Sequence, residues 1–292
     1  MAATLDNFAR KCARPAELLL GVVFVAGAVL KMLDINLFVV QVRHYGVIQA
    51  PAGLDAVAVG TVALESALGV ALLLGGNSRR FTLPIIAALL VLFTGLILYG
   101  WRYHNLADCG CFGRLKMTPG TSILKNVVLL AGCGFAWRYR PRASSAGVTE
   151  TTQVASFRVL DMLRVSLPIL AAVGAGIFAY THLEAPTPVQ PDARPFAQFV
   201  FEEDGQTWNL GEGEYLVAML SATCEHCMAA VAELNDFVAA VADLPLFGLC
   251  EGTEETLQSF RDQTAPLFPT HLIGVRAFFE LIGQEPPRFI YI

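Results

Sequence analysis

The chain has 292 residues, of which 55% are hydrophobic and only 15% charged, too apolar for an ordinary soluble protein. Charge divides it: residues 1–182 carry four lysines and twelve arginines against eight acids (+8), whereas residues 183–292 carry four arginines against seventeen acids (−13). An acidic segment attached to a basic, very apolar one argues against nucleic acid as a partner and fits a membrane anchor with a water-facing domain.

The first apolar run, Glu17–Leu33, has the length of a membrane span rather than a signal-peptide core, keeps Lys31 and Asp34 at its far end and shows no convincing cleavage site. Lys31 and Asp34 are expected to pair at the membrane interface. Asn36–Ile48 places Leu37, Val40 and His44 at helical spacing and reads as an interfacial helix. Further spans are expected at Leu54–Leu74, Leu83–Trp101, Ser122–Trp137 and Val165–Tyr180. Basic residues favour a cytoplasmic N-terminus, with ten on that side against six on the other. Five spans then leave the C-terminal domain and the turn after the third span outside, in a periplasm or its equivalent.

The expected architecture is therefore multi-domain: an α-helical membrane bundle followed by an α/β domain. Its parts are a four-helix transmembrane domain (1–140), a cytoplasmic linker (141–164), a fifth transmembrane helix (165–182), a proline-rich tether (183–196) and an extracytoplasmic domain (197–292). The tether holds four prolines within Glu184–Pro195, an extended spacer.

In the last domain, Phe199–Phe201 alternates into a short strand and Tyr215–Leu220 is a continuous apolar strand of the kind buried on both faces. Cys224-Glu-His-Cys227 follows at the junction with a helix whose apolar side carries Met228, Val231, Leu234, Phe237 and Val238. Leu246–Cys250 is another strand, Glu254–Gln263 a helix, and Pro286-Pro287 opens a last strand, Arg288–Ile292. This is the thioredoxin order, in which the late proline is cis and lies against the dithiol; Pro287 matches that place.

The chemistry gives each residue a task. The nucleophile in disulfide exchange is a thiolate, and the unpaired N–H groups and positive dipole end of a helix's first turn stabilise one at Cys224. Cys227, one turn in, would resolve the mixed disulfide, and His226 would make the couple more oxidising. A structural disulfide or half a zinc site are the bland alternatives.

A second thiol pair lies in Asp108-Cys109-Gly110-Cys111-Phe112-Gly113. Cysteines two apart close a bridge only with strain, and Arg102, His104 and Arg114 nearby favour thiolates. A structural bridge or a metal-binding pair also fits this spacing. Cys12 reads as a lone cytoplasmic thiol, Cys133 as a small apolar residue within a span and Cys250 as a strand core residue. Glu65, deep in the second span, is costly there. It reads either as a proton acceptor coupled to quinone reduction or as a buried protonated acid hydrogen-bonded to a neighbouring helix, with Asn126 as the candidate partner.

The opening Leu-Gly-Val-Val-Phe-Val-Ala-Gly-Ala-Val-Leu-Lys-Met, Glu65 and the Cys-Gly-Cys-Phe-Gly run resemble the MauE family of methylamine utilisation proteins, related to DoxX-like membrane proteins, over about residues 10–140. Residues 197–292 resemble thioredoxin-like proteins, the class of MauE's usual partner, although the usual last strand and helix are missing. The resemblance implies a role in forming or arranging disulfides in exported proteins, with the small subunit of methylamine dehydrogenase as the family's namesake client. The fused domain departs from the plain MauE pattern, so the client can differ.

The expected function is thus a membrane-bound thiol-disulfide oxidoreductase of the inner membrane. Cys224 and Cys227 would exchange electrons with exported clients and with Cys109/Cys111. No inner-face thiol pair exists for a relay to the cytoplasm, so a quinone held among the helices is the expected electron partner. No resident metal is expected. The rival reading is a copper metallochaperone or assembly factor using the same thiols, which suit Cu(I) although methionine-rich tracts are absent.

Overall fold

The computed structural model describes residues 2–48, 50–75, 81–103, 117–139, 154–184, 196–203, 206–241, 244–282 and 286–292. They fall into two compact units, Met1–Leu183 and Glu184–Ile292.

The apolar runs of the first unit become helices α1 (Ala2–Leu33), α2 (Ile35–His44), α3 (Pro51–Leu74), α4 (Leu83–Tyr103), α5 (Pro119–Tyr139) and α6 (Val154–Thr181). Five of them hold stretches of 20 to 26 residues long and apolar enough to cross a membrane. Local signals set the ends. Asp34 caps α2 by accepting from the Leu37 N–H at 3.2 Å. Pro51 opens α3, where its missing N–H costs nothing, and Gly75 closes it in the left-handed region at φ 68°.

α1 and α3 pack closely, a Cβ on Gly69 meeting the Val25 amide nitrogen at 2.9 Å and the Gly21 carbonyl at 3.0 Å. At the other end of this contact Arg14 donates to the carbonyls of Leu72 (2.7 Å) and Leu73 and pairs with buried Glu17 at 3.1 Å. These bonds occupy C-terminal carbonyls of α3 that have no partner within the helix. Leu20 and Phe24 of α1 meet Leu68 and Leu72 of α3, Leu83, Ile86 and Leu90 of α4, and Cys133 and Ala136 of α5 in one apolar core.

α2, the helix expected to lie at a membrane surface, buries Ile35, Phe38 and Val39 against Leu54, Ala58 and Val62 of α3 and Ala175 and Ala179 of α6. One expectation changes here. α6 begins at Val154, inside the expected linker 141–164, because the stretch up to Arg164 contains no glycine or proline to stop a helix.

In the second unit, β1 (Val200–Glu203) and β2 (Gln206–Asn209) form an antiparallel pair. β3 (Leu216–Ser221), β4 (Leu246–Glu251), β5 (Thr270–Leu272) and β6 (Arg288–Tyr291) make one sheet in the order β5-β4-β3-β6. β3, β4 and β5 run parallel, and β6 is antiparallel to β3. Parallel neighbours need long crossovers, supplied by α7 (Glu225–Ala240) and α8 (Glu254–Thr264); α9 (Val275–Ile282) precedes β6.

Alternation along the central strands sends side chains to two faces. Ala218, Leu220, Leu246 and Cys250 face Val231 and Leu234 of α7 and Leu257 and Phe260 of α8. Val217, Met219, Phe247 and Leu249 face Phe278 and Ile282 of α9, with Phe199, Phe201 and Trp208 beside them. This double burial is why β3 and β4 read as unbroken apolar runs.

Candidate functional site

β3 delivers the chain to its C-terminal edge at Ser221, and α7 starts at Glu225, so Cys224 stands at the N-cap with extended backbone (φ −94°, ψ 119°). Its Sγ accepts from the Cys227 N–H at 3.4 Å, filling one of the positions left open at a helix start. Its amide is tied to the Ser221 carbonyl at 3.1 Å and its carbonyl to the Met228 N–H at 3.0 Å. Both sulfurs are free thiols. Cys224 is half-buried, whereas Cys227 is fully buried among Ala218, Leu220, Val231 and Cys250.

The Ser221 N–H donates to Cys227 Sγ at 3.3 Å, and the Ser221 hydroxyl donates to Glu251 Oε2 at 2.9 Å. Burial pushes the Cys227 thiol up to about 12, outweighing the Ser221 N–H, which acts in the opposite direction. Cys250, deeper in the sheet, is likewise raised to about 12 by burial. The pair is thus asymmetric: one sulfur at the surface under a donated N–H, the other held protonated in an apolar core.

The peptide bond between Pro286 and Pro287 is cis, and the Pro286 carbonyl lies 3.9 Å from Cys224 Sγ. His226 is exposed in the first turn of α7. The structure therefore brings Cys224, Cys227 and the Pro286-Pro287 segment together. Cys109 and Cys111 lie outside the described residues. Among the described residues, no three His, Cys, Asp or Glu side chains gather as a metal site.

Glu65 is buried in the helical unit, and its partner is Lys31 rather than Asn126. Lys31 Nζ donates to both carboxylate oxygens, at 2.9 and 2.7 Å, as an ion pair. Asn126 instead donates to Thr94 Oγ1 at 3.1 Å. The expected Lys31–Asp34 pair does not form either: Asp34 faces Leu37 as a cap, and the flexible lysine stem carries its ammonium across to α3. The pairing was legible in principle, since Lys31 and Glu65 are oppositely charged residues each isolated in an apolar run. Ser221 and Glu251 were also missed. They end two parallel strands in register, a relation visible only once β3 and β4 are paired.

These features define a multi-pass helical membrane protein that carries an α/β unit with a dithiol at a helix start. Residues 9–139 match the family model described as methylamine utilisation protein MauE, so the stretch from α1 to α5 is MauE-like. The chain is also similar to Protein TlpB of Flavobacterium psychrophilum, 36% identical over 72 residues, which is 24% of this chain. It spans only about a fifth (20%) of that relative's length. No solved structure matches.

Proposed function

We propose that this protein is a thiol-disulfide oxidoreductase of the inner membrane, oriented with its N-terminus in the cytoplasm and its α/β unit outside. In this reading the second unit is a thioredoxin-like domain, supported by the succession β3, Cys224–Cys227, α7, β4, α8 and a last strand entered through Pro287. The observation that carries it is the asymmetry of the dithiol. Half-buried Cys224 sits under the Cys227 N–H, and the second sulfur waits behind it in the core.

The oxidising cycle starts from the Cys224–Cys227 disulfide. A client thiolate attacks Cys224 Sγ, a mixed disulfide forms, and Cys227 leaves and takes up a proton. Burial favours that protonated form, so the leaving sulfur does not re-attack at once. A second client thiolate then attacks the client's own sulfur and releases Cys224. The client has lost two electrons and two protons, and both are held in the Cys224/Cys227 dithiol. Exchange with the Cys109–Cys111 disulfide passes them to the membrane unit, and a lipid-soluble quinone takes two electrons and two protons to become the quinol.

The test is covalent capture in cells. Cys227→Ala leaves Cys224 a lone thiolate that can attack the Cys109–Cys111 disulfide or a disulfide of an exported protein, and with no neighbouring sulfur to release it the mixed disulfide through Cys224 is expected to accumulate. Absence of any Cys224-linked species in a stably expressed variant would overturn the reading. Cys109→Ser with Cys111→Ser is expected to lock the outer pair in one redox state.

A further inference from the structure

The helical unit contains a cavity of about 150 Å³ lined by α1, α2, α3, α4 and α5 together with the turn after α2. Its wall is mainly apolar, with Phe24, Phe38 and Phe93 among the lining side chains, and its polar groups come from Tyr45, Thr61, Lys125, Asn126 and the Lys31–Glu65 pair. The Lys31–Glu65 pair is buried, each residue 5% exposed, and the ammonium also lies 5.5 Å from the centre of the Phe38 ring. An ion pair away from water is expensive and replaceable by apolar residues, so its presence on the wall of a mainly apolar cavity points to a polar occupant.

We infer that this cavity binds the ring of a lipid-soluble quinone, a carbonyl-bearing ring on an apolar tail, with Lys31 donating to a ring carbonyl. This deepens the reading above, since it says where the electron acceptor sits. Size is compatible with the ring: an apolar cavity of about this volume accommodates a single six-membered ring. Charge selects the carbonyl. A lysine ammonium has three N–H donors, and two contacts are drawn to Glu65. The remaining donor suits a neutral carbonyl oxygen. Asn126 is 2% exposed and spends one N–H on Thr94, which leaves a second amide donor on the same cavity. A bare acyl chain would use none of these groups.

The test is binding of decylubiquinone to the purified full chain in detergent, followed by titration calorimetry, with decylbenzene as the matched ligand without carbonyls. The expected result is a single site for decylubiquinone and at least about tenfold weaker binding of decylbenzene. Lys31→Met is expected to weaken decylubiquinone by about tenfold or more. Because that change strands a buried carboxylate, the Lys31→Met/Glu65→Met double variant is measured beside it and is expected to lose the preference for the quinone over decylbenzene. Equal affinity of the two ligands for the unaltered protein, no binding of decylubiquinone, or an unchanged preference in the double variant would each overturn the assignment. Binding is read without any thiol reaction. Failed binding with Cys224 capture intact removes the cavity assignment alone, and failed capture with binding intact removes the disulfide-exchange reading alone.

Discussion

Replacing Cys227 by serine should change how the stability of the α/β unit depends on pH. In the reduced protein the Cys227 thiol is raised from about 9 to about 12 because burial disfavours the thiolate. The sign follows from proton counts. Between those values the unfolded chain has lost the thiol proton while the folded chain keeps it, so stability falls as pH rises. Below about 9 both states are protonated and the effect is absent. Each pH unit is worth roughly 1.4 kcal/mol, so by pH 11 Cys227 alone costs on the order of 3 kcal/mol. Cys250 adds a similar slope but is common to both proteins. The assay is equilibrium denaturation of the reduced full chain with Trp208 as sole reporter, Trp101 and Trp137 being changed to phenylalanine. Cys227→Ser should flatten the decline between pH 9 and 11 by that amount relative to the parent. Parallel curves would mean that the buried sulfur ionises as freely in the folded state as in the unfolded one.

Other outcomes follow from single contacts. Gly75→Ala places a side chain at φ 68° with its Cβ 2.7 Å from the Arg14 guanidinium, and should lower the stability of the helical unit by about 1–2 kcal/mol or more in a detergent melt. Thr253→Ala removes the cap that accepts from the Thr256 N–H at 3.2 Å at the start of α8, and should cost about 0.5–2 kcal/mol by denaturation followed at Trp208. Met219→Ala opens a hole between the sheet and α9 and should cost about 2–5 kcal/mol in the same measurement. Glu65→Leu with Lys31 intact leaves an ammonium buried without its counter-charge and should destabilise the bundle by about 3–5 kcal/mol; melts of the single and double variants check this.

The sequence carried some of this plainly and hid the rest for physical reasons. Spans were readable because a 20-residue apolar window is a local signal, whereas several helix starts, such as Pro51 and Val154, lay ahead of the apolar run. The Cys224–Cys227 junction was readable because an unbroken apolar strand runs into it and an amphipathic helix leaves it. β2, β5 and α9 were not anticipated. β5 is three residues long and α9 eight, too short for periodicity to stand out. The pairing of Lys31 with Glu65 was harder to read for another reason. They are 34 positions apart and meet only because α1 and α3 lie against each other, whereas Asp34 is near in sequence but occupied by its own helix start.

The glycine contact between α1 and α3 has a mechanical consequence. With the Gly69 Cβ position already within 3.0 Å of α1 backbone atoms, and with Arg14 fastened to the end of α3, these helices cannot slide or separate without breaking backbone-to-backbone packing. They form the fixed jamb of the cavity and hold the ammonium and the carboxylate at constant spacing.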